Sequence, residues 1–132
     1  MAISATPFLM FTGNAQAAMD LYTSLFENSQ ITHVDCYSAG ERGAAGSIKV
    51  AAFTLCSREF KCSDSPVKHN FSFTPSSSIF VECESKEELD HAFNVLSQDG
   101  QVLMPLDNYG FSPCFGWLND RFGVSWQLNL AA

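Results

Sequence analysis

Positive charge is scarce in this chain: seven lysines and arginines stand against fourteen aspartates and glutamates, a formal net charge of −7 over 132 residues. The few cations are scattered singly. No basic stripe exists to follow a phosphate backbone, so neither nucleic acid nor an anionic membrane surface is expected as a partner. No apolar run approaches the ~20 residues that cross a bilayer. The first residues show no basic segment followed by an apolar one, so no secretory leader is expected. The five cysteines (Cys36, Cys56, Cys62, Cys83, Cys114) are an odd number, with no C-x-x-C and no paired Cys/His spacing. Most sit among apolar strand residues, where a thiol behaves as a small hydrophobe. A structural zinc site is not expected, and a reducing cytoplasm is the natural setting. Two catalytic signatures are missing as well: there is no G-x-S-x-G elbow and no zinc-protease helix.

What is present is a globular composition, 46% hydrophobic and 16% charged, in a length that makes one ordinary domain over residues 1–132. Two segments share a layout. PFLMFTGNAQAAMDLYTSLF begins at Pro7 and SIFVECESKEELDHAFNVLS at Ser78; a shift of seventy-one positions lays Asn14 on Ser85, Tyr22 on Phe93 and Leu25 on Leu96. Each reads as a short strand, a capping residue and an amphipathic helix, with Ala18, Leu21, Tyr22, Leu25 and Phe26 on one helical face and Leu89, Ala92, Phe93 and Leu96 on the other. Ser85 with Glu88 forms a capping box, and Gly100 is the expected stop of the second helix.

Strand patterns follow each helix, at 31–37, 48–55 and 59–63 and again at 102–104, 115–119 and 124–130. The order is βαβββ twice: a first module over about 6–64, a connecting loop over about 65–77, and a second module over about 78–130. Near the end, GWLNDRFGVSWQLNL reads as two strands joined by a tight turn at Asp120–Gly123.

The tandem βαβββ layout, with TGNAQAAMDLYTSLF after the first strand and GWLNDRFGVSWQLN at the end, resembles the vicinal-oxygen-chelate superfamily. That group includes glyoxalase I, extradiol dioxygenases and the bleomycin- and fosfomycin-resistance proteins. FTGNA, EFKCSD, VECES and GWLNDRFGVSWQLN are similar to its PhnB-like branch, over nearly the whole chain. The resemblance implies an α+β fold of two tandem βαβββ modules, their curled mixed sheets set around a cavity with the helices on the outer face. Some PhnB-like sequences carry a ubiquinone-methyltransferase label, but no glycine-rich turn follows a strand here to cradle a nucleotide-like cofactor.

Strand parity sorts the residues into faces. Phe8 and Met10; Phe60 and Cys62; Ile79, Val81 and Cys83; and Val124, Trp126 and Leu128 are expected beneath helices. The opposite sets mix aromatic, aliphatic and polar groups, as a lined cavity does. Leu9, Phe11, Glu59, Lys61, Ser78, Phe80, Glu82 and Gln127 are therefore the expected ligand pocket.

The resemblance also implies four metal-ligand positions, which fall on Pro7, Lys61, Ser78 and Gln127. Proline and lysine do not serve, serine is a poor ligand, and a lone glutamine oxygen is weak beside histidine and carboxylate. None of the three histidines occupies these positions: His91 is expected at the surface of the second helix, His69 in the connecting loop, and His33 at a strand edge. The expectation is no metal and no cofactor.

Of the remaining chemistry-bearing residues, Cys62 and Cys83 point beneath helices, and Asp64 either binds a substrate group or ends its strand as an Asx-turn. Glu59, Lys61 and Glu82 form an acid–base trio or a rim salt bridge. Three functions stay open, and no catalytic residue is assigned. The first is a metal-free protein that binds an unidentified small, partly apolar molecule. The second is a lyase-, isomerase- or dioxygenase-type enzyme using a divalent metal or Glu/Lys groups in the same cleft. The third is an interaction module without chemistry. A homodimer is expected, because βαβββ modules leave open sheet edges.

Overall fold

Helical spacing followed by alternation, met twice along the chain, produces the same succession of elements twice. The computed structural model describes residues 1–131. Their order is β1 (Phe8–Phe11), α1 (Ala15–Leu25), β2 (Gln30–Cys36), β3 (Ile48–Leu55), β4 (Arg58–Asp64), β5 (Ile79–Cys83), α2 (Lys86–Ser97), β6 (Gln101–Asp107), β7 (Phe115–Asn119) and β8 (Ser125–Leu130). The chain forms two compact units, Met1–His69 and a second beginning at Asn70.

The first unit holds a sheet of order β1-β4-β3-β2, parallel between β1 and β4 and antiparallel elsewhere. Helix α1 lies on one face and buries Ala15, Ala18, Met19 and Tyr22. Beneath it, Phe53 and Phe60 stack with centroids 5.5 Å apart, and Tyr22 leans on Phe53 at 6.5 Å. Asn14 stands at the N-cap of α1 but makes no side-chain cap. Asp64, at the end of β4, does that work instead. Its Oδ1 accepts the N–H groups of Gly13 and Ala15, both at 2.9 Å, and its Oδ2 accepts the N–H of Ile48, also at 2.9 Å. One buried carboxylate thus ties the start of a helix, the start of β3 and the end of β4. The carboxylate is thus spent on N–H groups of distant segments and does not close an Asx-turn.

The second unit repeats the plan, with order β5-β8-β7-β6 and β5 parallel to β8. Helix α2 buries Leu89, Ala92, Phe93 and Leu96 on the face that carries Val81, Cys83, Leu118, Trp126 and Leu128. Gly116 lies so close beneath Phe93 that a Cβ there would meet its ring. Half of the expected capping box forms: the Glu88 N–H donates to Ser85 Oγ at 3.2 Å, while the Glu88 carboxylate takes the N–H of Glu84, the residue before the cap, at 3.1 Å. The helix stop differs from expectation. Asp99 (φ 58), not Gly100, takes the left-handed conformation; Gly100 is small because Asn119 O lies where its Cβ would be.

The turn after β7 is organised by Asp120. Its Oδ1 accepts from Phe122 N and Val124 N, and its Oδ2 accepts the Trp126 indole N–H at 2.9 Å. β6 is longer than its pattern suggested, because Pro105 is tolerated on an edge strand where no ladder donor is needed.

Candidate functional site

Each sheet has one face sealed by its own helix, so function is sought on the other face. Register defines that face. Phe8 pairs with Lys61 and Ala52 with Lys61, while His33 pairs with Ala52. A row His33–Ala52–Lys61–Phe8 therefore runs across the first sheet on its open side, with Glu59 and Ser63 above and below Lys61 on β4. Leu9 pairs with Cys62 and Phe11 with Asp64, both buried positions of β4. Leu9 and Phe11 thus lie on the helix side, and Phe8 and Met10 take the open side. This reverses the expected faces of β1. Phe11 is 2% exposed and Phe8 53%.

The cause is a single residue. Three residues (Thr12, Gly13, Asn14) join β1 to α1, but only two (Glu84, Ser85) join β5 to α2. The helices are related by a shift of seventy-one and the strands by seventy-two, since Phe8–Lys61 and Phe80–Gln127 are the equivalent pairs. A one-residue slip turns every side chain of a strand over. The same slip moves Pro7 off the position equivalent to Ser78.

On the second sheet the expected faces hold. Val81, Cys83, Trp126 and Leu128 are buried, Phe80 is 51% exposed and Glu82 is exposed. Two open-side rows cross this sheet. One runs Phe80–Gln127–Trp117–Met104, the other Glu82–Asn129–Phe115–Asp107. Phe115 is the centre of an aromatic group: Phe80 lies 6.3 Å from it, Tyr109 stands edge-on at 6.2 Å, and Phe111 edge-on at 5.0 Å. Phe111 also stacks on Tyr109 at 6.4 Å and is 66% exposed.

Polar groups flank these rings. Asn129 Nδ2 donates to both Glu82 carboxylate oxygens, at 3.1 and 3.3 Å, while the buried Asn129 Oδ1 has no partner. The Trp117 indole N–H donates to Ser125 Oγ at 2.8 Å, and Ser78 Oγ shares a 2.8 Å hydrogen bond with the same hydroxyl. Ser125 is buried by these contacts. Along the polar face of β8, Ser125 is buried and Gln127 and Asn129 are half-buried.

Among the described residues Lys61 makes no ion pair, and within the second unit Glu82 is engaged by Asn129. His91 is exposed, and His69 lies 3.0 Å from Ser65 Oγ within its loop. Burial, and secondarily the Asp64 charge, pushes the Cys62 thiol up to about 12, so it is no nucleophile near neutrality. All five thiols are free.

A polar recess of about 470 Å³ opens elsewhere, between Asn28, Ser29, Gln30, Thr54 and Ser57. Its groups bond chiefly to one another: Ser57 N donates to Asn28 O, Cys56 N to Ser29 Oγ and Gln30 N to Thr54 Oγ1. It reads as the seam of the β3–β4 turn, where Cys56 and Ser57 both have positive φ, as a two-residue hairpin requires.

The family model described as 3-demethylubiquinone-9 3-methyltransferase matches residues 3–129. The chain belongs to this family. The PhnB protein from Bacillus cereus is 53% identical over 98% of this chain and 100% of its own, with a TM-score of 0.95. Protein PA1353 from Pseudomonas aeruginosa is 27% identical, over 98% of each chain, with a TM-score of 0.84. The fosfomycin resistance protein FosX from Mesorhizobium loti shares the fold at 8% identity, over 100% of this chain and 94% of its own, with a TM-score of 0.65. Among curated proteins none matches. The chain is thus a PhnB-like member of the vicinal-oxygen-chelate superfamily, α+β, with two βαβββ modules. No helix among the described residues is long and apolar enough to cross a membrane.

The residues do not fit the metal for which the superfamily is named. The open-side pairs are Phe8–Lys61 and Phe80–Gln127, which offer no carboxylate and no imidazole. Among the described residues no three His, Cys, Asp or Glu side chains gather as a metal site would need. Nor do the strand–helix turns suit a nucleotide-like group: Asp64 fills the N–H groups at the start of α1, and Ser85 and Glu88 close α2.

Proposed function

We propose that this PhnB-like protein binds a small, partly apolar molecule on the open face of its second sheet, without a metal or a cofactor. The observation that carries the reading is the aromatic group around Phe115, with Phe80 and Phe111 more than half exposed. Large apolar rings gathered on a face that no helix covers mark a binding surface. Gln127 supports it, a half-buried amide beside Phe80 with free hydrogen-bonding capacity.

The protein works in the reducing cytoplasm as a homodimer. The free thiols suit that compartment, and each sheet keeps two edge strands, β1 and β2 or β5 and β6, that pairing between copies would cover.

Native mass spectrometry of the purified protein tests the whole reading at once. The expected spectrum is a dimer carrying an organic adduct of defined mass, lost on denaturation and lost in Phe80→Ala. A stoichiometric divalent metal instead of an organic adduct would overturn it.

A further inference from the structure

We infer that the open face of the second sheet selects an organic cation with an aromatic or apolar body. This rests on the binding reading above and adds the charge of the ligand. The row Glu82–Asn129–Phe115–Asp107 places a carboxylate at each end of the sheet with the aromatic centre between them. Four neighbouring strands put the two ends about 14 Å apart. Asp107 belongs to this face because Leu106, its neighbour, lies against Gly116 on the helix side.

No counter-charge on the strands of this sheet answers these carboxylates. The strands β5 to β8 contain no lysine, arginine or histidine. The cationic side chains of this unit are Lys86 and His91 on α2 and Arg121 in the β7–β8 turn, and Lys86 is already paired with Asp90 at 3.0 Å. Glu82 is held by an amide rather than neutralised.

The aromatic rings act in the same sense. Their faces carry negative electrostatic potential and attract ammonium or guanidinium groups. The Asn129 Oδ1 is buried and unpartnered, and a buried acceptor in that state is satisfied by an incoming N–H. An anion on this face would meet Glu82 on one side and Asp107 on the other. A cation with an aromatic body gains from the rings, from both carboxylates and from the amide oxygens.

Three probes of one shape separate these effects: 2-phenylethylammonium, 2-phenylethanol and phenylacetate, titrated into the full chain and followed by tryptophan emission, since Trp117 lies on the same face. The ammonium is expected to bind about tenfold tighter than the alcohol, with phenylacetate weakest and the preference shrinking as salt is added. Glu82→Gln keeps the bond to Asn129 and is expected to reduce the preference for the ammonium while leaving alcohol affinity unchanged; Asp107→Asn is expected to do the same. Phe80→Ala and Phe111→Ala, both at exposed positions, are expected to weaken all three probes.

Equal binding of ammonium and alcohol, or tighter phenylacetate, with the dependence on Phe80 intact, overturns the cation inference and leaves the binding reading standing. Binding of no probe, or binding untouched by both aromatic variants, overturns both.

Discussion

The two modules share a strand order and a parallel first pair, yet their open faces differ in chemistry. The first carries His33, Lys61 and Ser63 around the small Ala52. The second carries Phe80, Phe115 and Trp117 between Glu82 and Asp107. The helix sides, by contrast, are alike, each a layer of buried apolar groups with a cysteine on the strand beneath the helix, Cys62 and Cys83. What the fold demands is therefore repeated, and what it leaves free has diverged. Each half also has a buried aspartate that organises backbone N–H groups, but at different places: Asp64 gathers a helix start, whereas Asp120 closes a hairpin and holds an indole.

The strongest attack on this division uses neighbours on one strand. Trp126 is fully buried and Gln127 faces the open side. Trp126→Ala is expected to cost about 3–5 kcal/mol in chemical denaturation, a large share of a domain's stability. Gln127→Ala is expected to stay within about 1 kcal/mol and to weaken ligand binding instead. Similar losses in both would mean that the open side of β8 is structural too.

A smaller effect tests the first module. Asp64→Ala strands three buried or part-buried N–H groups and is expected to cost about 3 kcal/mol. Hydrogen exchange is expected to rise first at the start of α1. An unchanged exchange pattern there would remove Asp64 from its role as the cap of α1.

The last concerns the thiol beneath α1 and shows only at high pH. Cys62 titrates at about 12 in the folded chain against 9.0 ordinarily. Above the lower value the unfolded chain gives up a proton that the folded chain retains, so stability falls as pH rises from about 9 to about 12. Below that window the contribution is complete. Cys62→Ala is expected to flatten this part of the stability profile, and a slope identical to that of the parent chain would show that the thiol is not protected.

Much of this was legible before any coordinates. The alternation in β8, the N-cap at Ser85 and the Asp120–Gly123 turn each carry a local signal that long-range packing had no reason to override. β1 did not, because FLMF is apolar at every position and has no parity to read; only its pairing with β4 decides which residues face α1. Asp64 was ambiguous because its partners lie far off in sequence, at Gly13, Ala15 and Ile48. Tyr109 and Phe111 went unnoticed because they sit in an irregular loop, where no period separates a ring that covers a site from one that faces water. Phe115 and Trp117 could have been found: they alternate with Gly116 and Leu118 along β7, and the parity that placed Gln127 places them as well.

The extra residue between β1 and α1 sets a rule for anyone who would exchange parts between the two halves. A segment cut from Ser78 to Ser97 and spliced in place of its counterpart by sequence offset would arrive with its strand inverted, apolar side outward. The graft succeeds only if one residue is added to the turn that travels with it. Between two like units, length can change where a strand hands over to a helix, because each strand takes its position from the neighbour it bonds to and not from the helix that follows it. Recombination points in such a chain belong inside strands, where register is held, and not in the connection.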